Sequence, residues 1–190
     1  MAIEWKDVSK RFGKETVLSH VNVRLEDGGI YCLAAPSGSG KTTFLRLLMR
    51  LEELDEGTIL GLGEKRVSAV FQEDRLLENS SVLSNLRLVT GKLYSGAELT
   101  AIAGRLLPET ALPKKVRECS GGMKRRVALL RALLAPSELL LLDEPFAGLD
   151  EENKQRAACM IQEYAKGRTV VLAVHTEEDA ALLNARLLRF

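Results

Sequence analysis

Apolar and polar positions alternate near the start of the chain, through Ile3–Val8 and again at Val21, Val23 and Leu25, on either side of a turn at Gly13. A period of two buries one face of a strand and wets the other, so this opening predicts an antiparallel β layer. After the turn Asp27-Gly28-Gly29 comes an unbroken apolar run, Ile30–Ala34, then a glycine-rich stretch, Pro36–Gly40, and then helical spacing over Lys41–Leu51. Thr58–Leu60 and Arg66–Phe71 read as strands returning to the sheet, and Asn79–Pro113 has broken helical periodicity with no clear strand. Helical spacing resumes over Ser120–Leu134, among Lys124, Arg125, Arg126 and Arg131. Leu139–Leu142 is four leucines in succession, which suits a strand buried on both faces. Glu151–Lys166 then reads as an amphipathic helix, Thr169–Val174 as a β-branched strand, Glu177–Leu183 as a helix and Arg186–Phe190 as a last strand.

Strands alternating with helices imply a parallel sheet with crossover helices. The expected organisation is one α/β domain over residues 1–190. Residues 1–78 and 136–190 supply the parallel core and the antiparallel layer, and residues 79–135 a helical subdomain. Composition agrees: 190 residues suffice for one core, and 46% hydrophobic with 28% charged residues is a globular mixture. A net charge of +1 gives no general attraction to nucleic acid or acidic lipid. No apolar run approaches the roughly 18 residues of a spanning helix, and the start lacks a basic stretch followed by an apolar one, which together predict a cytosolic protein. Cys32, Cys119 and Cys159 are odd in number with no CxxC spacing, and are read as reduced thiols rather than a disulfide framework or zinc site.

Ala35-Pro36-Ser37-Gly38-Ser39-Gly40-Lys41-Thr42 matches GxxxxGK[ST] except at its first position. Phosphates need several backbone N–H groups converging from one side, hence a loop free of bulky side chains and open to unusual dihedrals, and Gly38 and Gly40 supply that freedom. The helix that follows points its unpaired N–H groups at the same place. Lys41 is then set to reach β- and γ-phosphates, and the Thr42 hydroxyl, followed by Thr43, to bind Mg²⁺. The plainer alternative is a flexible Gly/Ser turn before a helix that begins Lys-Thr. If the position of Ala35 needs a positive φ, alanine adds about 1 kcal/mol or more of strain there.

Asp143 and Glu144 stand at the end of the leucine strand, and parallel sheets put ligand sites at carboxyl strand ends. Asp143 is placed to hold Mg²⁺ or its water and Glu144 to polarise a water for attack on a γ-phosphorus. Alternatively the pair only terminates a strand and caps the next turn.

Cys119-Ser120-Gly121-Gly122-Met123, shortly before that strand, resembles the LSGGQ signature of the ABC ATPases. In matching order the chain has Phe12 before Gly13, Gln72 after Val70-Phe71, Gly148-Leu149-Asp150 after Glu144, and His175 after Val174, so that the resemblance runs from Ile3 to Phe190. It implies a P-loop NTPase fold of ABC type, with ATP and Mg²⁺ as ligands and ATP hydrolysis coupled to transport. It further implies that Phe12 stacks on adenine and that Gln72 senses Mg²⁺ and the attacking water beside a transmembrane partner. By the same resemblance His175 contacts the γ-phosphate, Asp150 crosses a dimer interface, and Ser120, Gly121 and Gly122 close on ATP held by the opposite subunit. Taken singly, Phe12 could be a core aromatic, Gln72 a solvated loop residue, His175 a satisfied strand-end histidine and Asp150 a helix cap.

SGGM followed by Lys124-Arg125-Arg126-Val127-Ala128, with Phe71-Gln72-Glu73-Asp74-Arg75-Leu76-Leu77 and Asp143-Glu144-Pro145-Phe146, is most similar to the importer ATPases for nitrate, sulfonates and taurine. The implied partners are a second ABC subunit, identical or paired, polytopic permease subunits and a solute-binding protein, with no nucleic acid. The implied place is the inner face of the cell membrane, held there by the permease.

Overall fold

The structure, a computed structural model, describes residues 1–36 and 38–189. Ser37 and Phe190 lie outside the described residues, so the phosphate-loop role assigned to Ser37 and the end of the last strand are not placed.

Two sheets form. In the first, β1 (Ile3–Phe12) lies between β2 (Glu15–Leu25) and a later strand, β4 (Glu56–Leu60), antiparallel to both. The second is all parallel, in the order β5 (Val67–Val70), β6 (Leu139–Asp143), β7 (Thr169–Val174), β3 (Ile30–Ala34), β8 (Arg186–Leu187). Helix α1 (Lys41–Leu48) follows β3, and α2 (Val82–Thr90), α3 (Gly96–Gly104) and α4 (Gly121–Leu134) fill the stretch between β5 and β6. Helix α5 (Glu151–Tyr164) crosses from β6 to β7, and the short α6 (Glu177–Ala181) precedes β8.

The leucine strand explains the layering. Leu139 and Leu141 face a core made with α1 and the antiparallel layer, whereas Leu140 and Leu142 face a second core that runs through α2, α4 and α5. Its neighbours alternate likewise, with Val171 and Ala173 on the first side and Val170, Leu172 and Val174 on the second. A strand in this position has no wet face, which is why it carries no polar residue before Asp143. The antiparallel layer closes over α1 by stacking Trp5 on Phe44, with ring centroids 4.0 Å apart and planes 9° from parallel.

Several boundaries differ from the sequence expectation, each for a local reason. Helix α1 ends at Leu48 rather than Leu51 because Arg50 takes φ 56, a left-handed conformation that terminates a helix. The strand at Thr58–Leu60 does not enter the parallel sheet. It pairs with β1, where Gly57, at φ 88, lies so close to the Asp7 carbonyl that a Cβ would sit 2.3 Å from it. The helix read over Glu177–Leu183 stops at Ala181, and the described part of the last strand is only two residues long. Among the described residues no helix is long and apolar enough to cross a membrane.

All three cysteines are free; Cys32 and Cys119 are buried and Cys159 is exposed. Burial pushes the Cys32 thiol up to about 12, helped by the charges of Asp179 and Glu177, and burial raises Cys119 as well. A thiol reagent at pH 8 is therefore expected to label one cysteine, Cys159, in the native protein and all three after denaturation. Leu141→Ala is expected to lower unfolding free energy by about 2–5 kcal/mol. Leu60→Ala, at a side chain 47% exposed, should change it by less than about 0.5 kcal/mol; urea titration of both variants checks the contrast.

Candidate functional site

Four neighbouring parallel strands deliver their following residues to one edge of the sheet: β3 the glycine loop, β5 Gln72, β6 the Asp143-Glu144 pair and β7 His175. Gly38, Gly40, Lys41, Thr42, Thr43, Gln72 and Glu144 line a cavity of about 230 Å³ together with Val17, which the sequence reading did not single out. Val17 belongs there because β2 passes directly under the loop: a Cβ on Gly40 would lie 3.0 Å from the Val17 carbonyl and 3.0 Å from Leu18 Cδ2. Gly40 is thus glycine twice over, for that approach and for its φ of 88 as the residue capping α1.

Ala35 is not among the residues with positive φ, so the strain expected of it does not arise. The physical reason is readable one residue on: Pro36 disfavours helical and favours extended backbone at the residue before it, and an alanine adopts that freely. Lys41 is only 6% exposed, and its ammonium donates to the carbonyls of Ala35 and, at 2.9 Å, of Pro36, spanning the loop it follows. Ser39 Oγ is buried without a hydrogen-bond partner among the described residues.

Thr42 Oγ1 donates to Asp143 Oδ2 at 3.0 Å. Burial pushes the Asp143 carboxyl above the usual aspartate range and the adjacent Glu144 charge adds to this, against the Thr42 hydrogen bond and the Arg125 and Lys41 charges. The Thr42 hydroxyl, the Asp143 carboxylate and the Gln72 side-chain carbonyl are hard oxygen donors around one rim. With the orphaned Ser39 hydroxyl and the side-chain-free cradle at Gly40, this set fits Mg²⁺ carried in with phosphates.

Glu144 has φ 52, unusual for a residue with a side chain, and its N–H donates to the Ala173 carbonyl at 2.9 Å. Its carboxylate meets His175 Nε2 at 2.9 Å, and that histidine is half exposed. Glu144 is therefore held through its backbone N–H and, at its carboxylate, by His175, while the side chain stays partly exposed.

The remaining candidates stand apart from this cavity. Phe12 is 46% exposed at the tip of the β1–β2 hairpin, with the Lys10 ammonium 5.1 Å from its ring centroid. It is thus an exposed ring and not a core aromatic. Ser120 caps α4, its Oγ accepting from Met123 N–H, and Gly121 and Gly122 form the first turn. Gly122 is closely packed: a Cβ there would lie 3.0 Å from the Gly148 carbonyl. Asp150 caps α5 by accepting from Asn153 N–H at 2.8 Å, the capping alternative left open by the sequence. None of Phe12, Ser120, Gly121, Gly122 or Asp150 lines the cavity around Lys41.

Sequence reasoning also passed over Arg125. This residue is 4% exposed and donates to the backbone carbonyls of Phe71, Asp143 and Glu144. A signal existed, since Arg125 lies three and four residues before the buried Ala128 and Leu129, on the inward stripe of α4.

Residues 18–147 match the family described as ABC transporter. The chain is 40% identical over 195 residues to the aliphatic sulfonates import ATP-binding protein SsuB 3 of Rhodococcus jostii (strain RHA1), covering 99% of this chain and 70% of that protein. It is 36% identical to the Nod factor export ATP-binding protein I of Paraburkholderia xenovorans (strain LB400), covering 98% of this chain and 66% of that one. Among solved structures it resembles a dimeric ATP-binding cassette in a post-hydrolysis state bound to ADP and Pi, with a TM-score of 0.80, 27% identity, and coverage of 95% of this chain and 90% of that chain.

Two substitutions in the loop should behave oppositely. Gly40→Ala forces a Cβ against Val17 at a left-handed φ and is expected to weaken ATP binding by about tenfold or more. Ala35→Gly relieves no strain and should leave affinity within about threefold, with a loss of folding stability near 0.4–1 kcal/mol. Fluorescent-nucleotide titration and urea unfolding of both variants measure this.

Proposed function

The chain belongs to the ABC transporter family of ATP-binding cassettes, and from that premise we propose that it is the ATP-hydrolysing subunit of a membrane transporter, acting as one half of a head-to-tail pair. The observation that carries this reading is the division of its motifs. The loop of Lys41 and Thr42 shares a cavity with Gln72 and Glu144, whereas the Ser120–Gly122 helix start lies outside it and has no nucleotide of its own chain to meet. A second copy, turned to face the first, brings each helix start to the other's cavity, where its free N–H groups suit a γ-phosphate.

In that pair the residues divide the work. The glycine loop and Lys41 hold the β- and γ-phosphates, and Phe12 offers its exposed ring to the base, opposite the Lys10 ammonium. Thr42, Asp143 and Gln72 are the residues to hold Mg²⁺, which supplies neutralisation of phosphate charge. Glu144 accepts the proton of the attacking water, and His175, fixed at 2.9 Å, keeps that carboxylate turned toward it. Asp150 and the closely packed Gly148–Gly122 contact tie the interface loop to the signature helix. Closure on ATP and opening after phosphate release then set the two facing states of a permease.

A groove beside the site, lined by Arg46, Met49, Leu51, Phe71, Gln72 and Arg75, gives a permease segment a seat in contact with Gln72. Leu51 in its wall is nearly half exposed. The solute-facing work then belongs to the permease and a solute-binding protein, and the chain works at the inner face of the membrane that holds them. Import of a small organic or anionic solute is favoured by the sulfonate-import relative and the Phe71–Leu77 segment; the Nod factor export relative supports the opposite direction. Transport of labelled sulfonate into right-side-out or inside-out vesicles carrying the complex decides between them.

Glu144→Gln is expected to reduce steady-state phosphate release by at least about a thousandfold while ATP binding persists and a dimer accumulates on ATP addition, seen by gel filtration. Turnover at the wild-type rate in this variant would remove Glu144 from its assigned role.

A further inference from the structure

We propose that Arg125 is the positioning residue of the hydrolytic site, holding Glu144 and the Gln72 loop to the helix that carries the signature. The inference rests on the ATPase reading above and concerns a buried residue that does not line the cavity around Lys41.

A guanidinium has five N–H donors, and here all of them are used. Nε donates to the Glu144 carbonyl at 3.1 Å. One terminal nitrogen donates to the Phe71 carbonyl at 2.6 Å and to Asp74 Oδ1 at 3.0 Å. The other donates to the carbonyls of Asp143 at 2.6 Å and Glu144 at 2.8 Å. Burying a charge this deeply is unfavourable unless it is paired and fully hydrogen-bonded, so the arrangement is one that the surrounding backbone must keep.

What it keeps is specific. The Asp143 carbonyl belongs to the peptide unit before the Glu144 Cα, and the Glu144 carbonyl to the unit after it. One guanidinium therefore grips both planes whose relative rotation defines the φ and ψ of Glu144. That residue stands at φ 52, a conformation disfavoured for a side-chain-bearing residue and retained only where its surroundings over-determine it. The Ala173 carbonyl holds the first plane from the other side. Through Phe71 the same guanidinium fixes the residue before Gln72, and Arg131, further along α4, donates to the Arg75 carbonyl at 2.8 Å. Helix α4 thus carries the fixing points of both the proton acceptor and the Gln72 loop, while its own N-terminus serves the opposite subunit. Movement of the signature helix is consequently felt at Glu144 of the same chain.

Lysine cannot reproduce this, since an ammonium has three donors on one atom and cannot hold the Asp143 and Glu144 carbonyls while also reaching the Phe71 carbonyl and Asp74. Arg125→Lys is expected to lower kcat by about a hundredfold with the KM for ATP and nucleotide affinity within about threefold of wild type. Arg168→Lys, which loosens a half-buried arginine holding the Leu133 carbonyl away from the site, should keep kcat within about threefold and measures the effect of a structural arginine alone. The double variant Arg125→Lys/Glu144→Gln should still form the ATP-dependent dimer, which a general disruption of α4 would abolish. Should Arg125→Lys fail to fold, Asp74→Ala loosens the same guanidinium while unpairing no carbonyl, and is expected to lower kcat about tenfold at unchanged affinity. Wild-type kcat in a folded Arg125→Lys, or in Asp74→Ala where that variant is needed, overturns the inference and leaves the ATPase reading intact. A parallel loss of nucleotide affinity and of the trapped dimer reduces Arg125 to a structural role and also overturns it. If wild type itself releases no phosphate, the ATPase reading falls and takes this inference with it.

Discussion

A strand whose four leucines are completely buried can lie only where both of its faces are covered, and β6 imposes that condition on everything around it. One face requires α1 and the antiparallel layer; the other requires α2, α4 and α5. Once covered on both sides, the strand has polar groups only at its ends, Glu138 paired with Arg66 at the first and the site at the second, carboxyl end. Asp143 and Glu144 stand there, and the parallel neighbours bring the glycine loop, Gln72 and His175 to the same edge. The chemistry is placed by the packing, and the packing is placed by a run of side chains with no polar alternative.

Charge near that edge is handled by enclosure rather than by solvent. Asp143 is buried and kept company by a hydroxyl, Lys41 bonds its own loop, and Arg125 has every donor occupied. Such groups have little freedom to relax, which favours one geometry of the acidic edge. Preorganisation of this kind is what makes fixed dipoles effective on a developing charge. Glu144 is the exception in its openness: its backbone is constrained and its carboxylate still has a route to water beside His175.

Much of this could be read from the sequence because it depends on residue order. The glycine loop between strand and helix, the acidic pair after the leucines and the serine-glycine helix start are contiguous patterns, and each falls at the element end where it was expected. What escaped depends on distance across the fold. The third strand of the antiparallel layer reads locally as a strand, but its choice of β1 over the parallel sheet depends on the close passage of Gly57 and Gly61 past the backbone at Asp7 and Ala2. Arg125 reads as one more charge in a basic run because its acceptors are carbonyls, which every residue has. Ala35 shows the reverse case. The consensus suggested strain, whereas the proline beside it already indicated an unstrained extended backbone.

The centre of the parallel sheet has a consequence for how the chain is made. Strand β3 pairs with β7 from Ile30↔Val170 to Ala34↔Val174, so the strand that leads into the glycine loop has its inner partner far downstream. During synthesis the β1–β2 hairpin can form early and β6 can pair with β5 as it emerges, while β3 and the second edge of β6 must wait for residues 169–174 to leave the ribosome. Long-range parallel pairing is slow, and apolar strands left unpaired aggregate. The nascent chain therefore passes through an interval in which its most adhesive segment is finished and its cover is not, and chaperone demand should be greatest there.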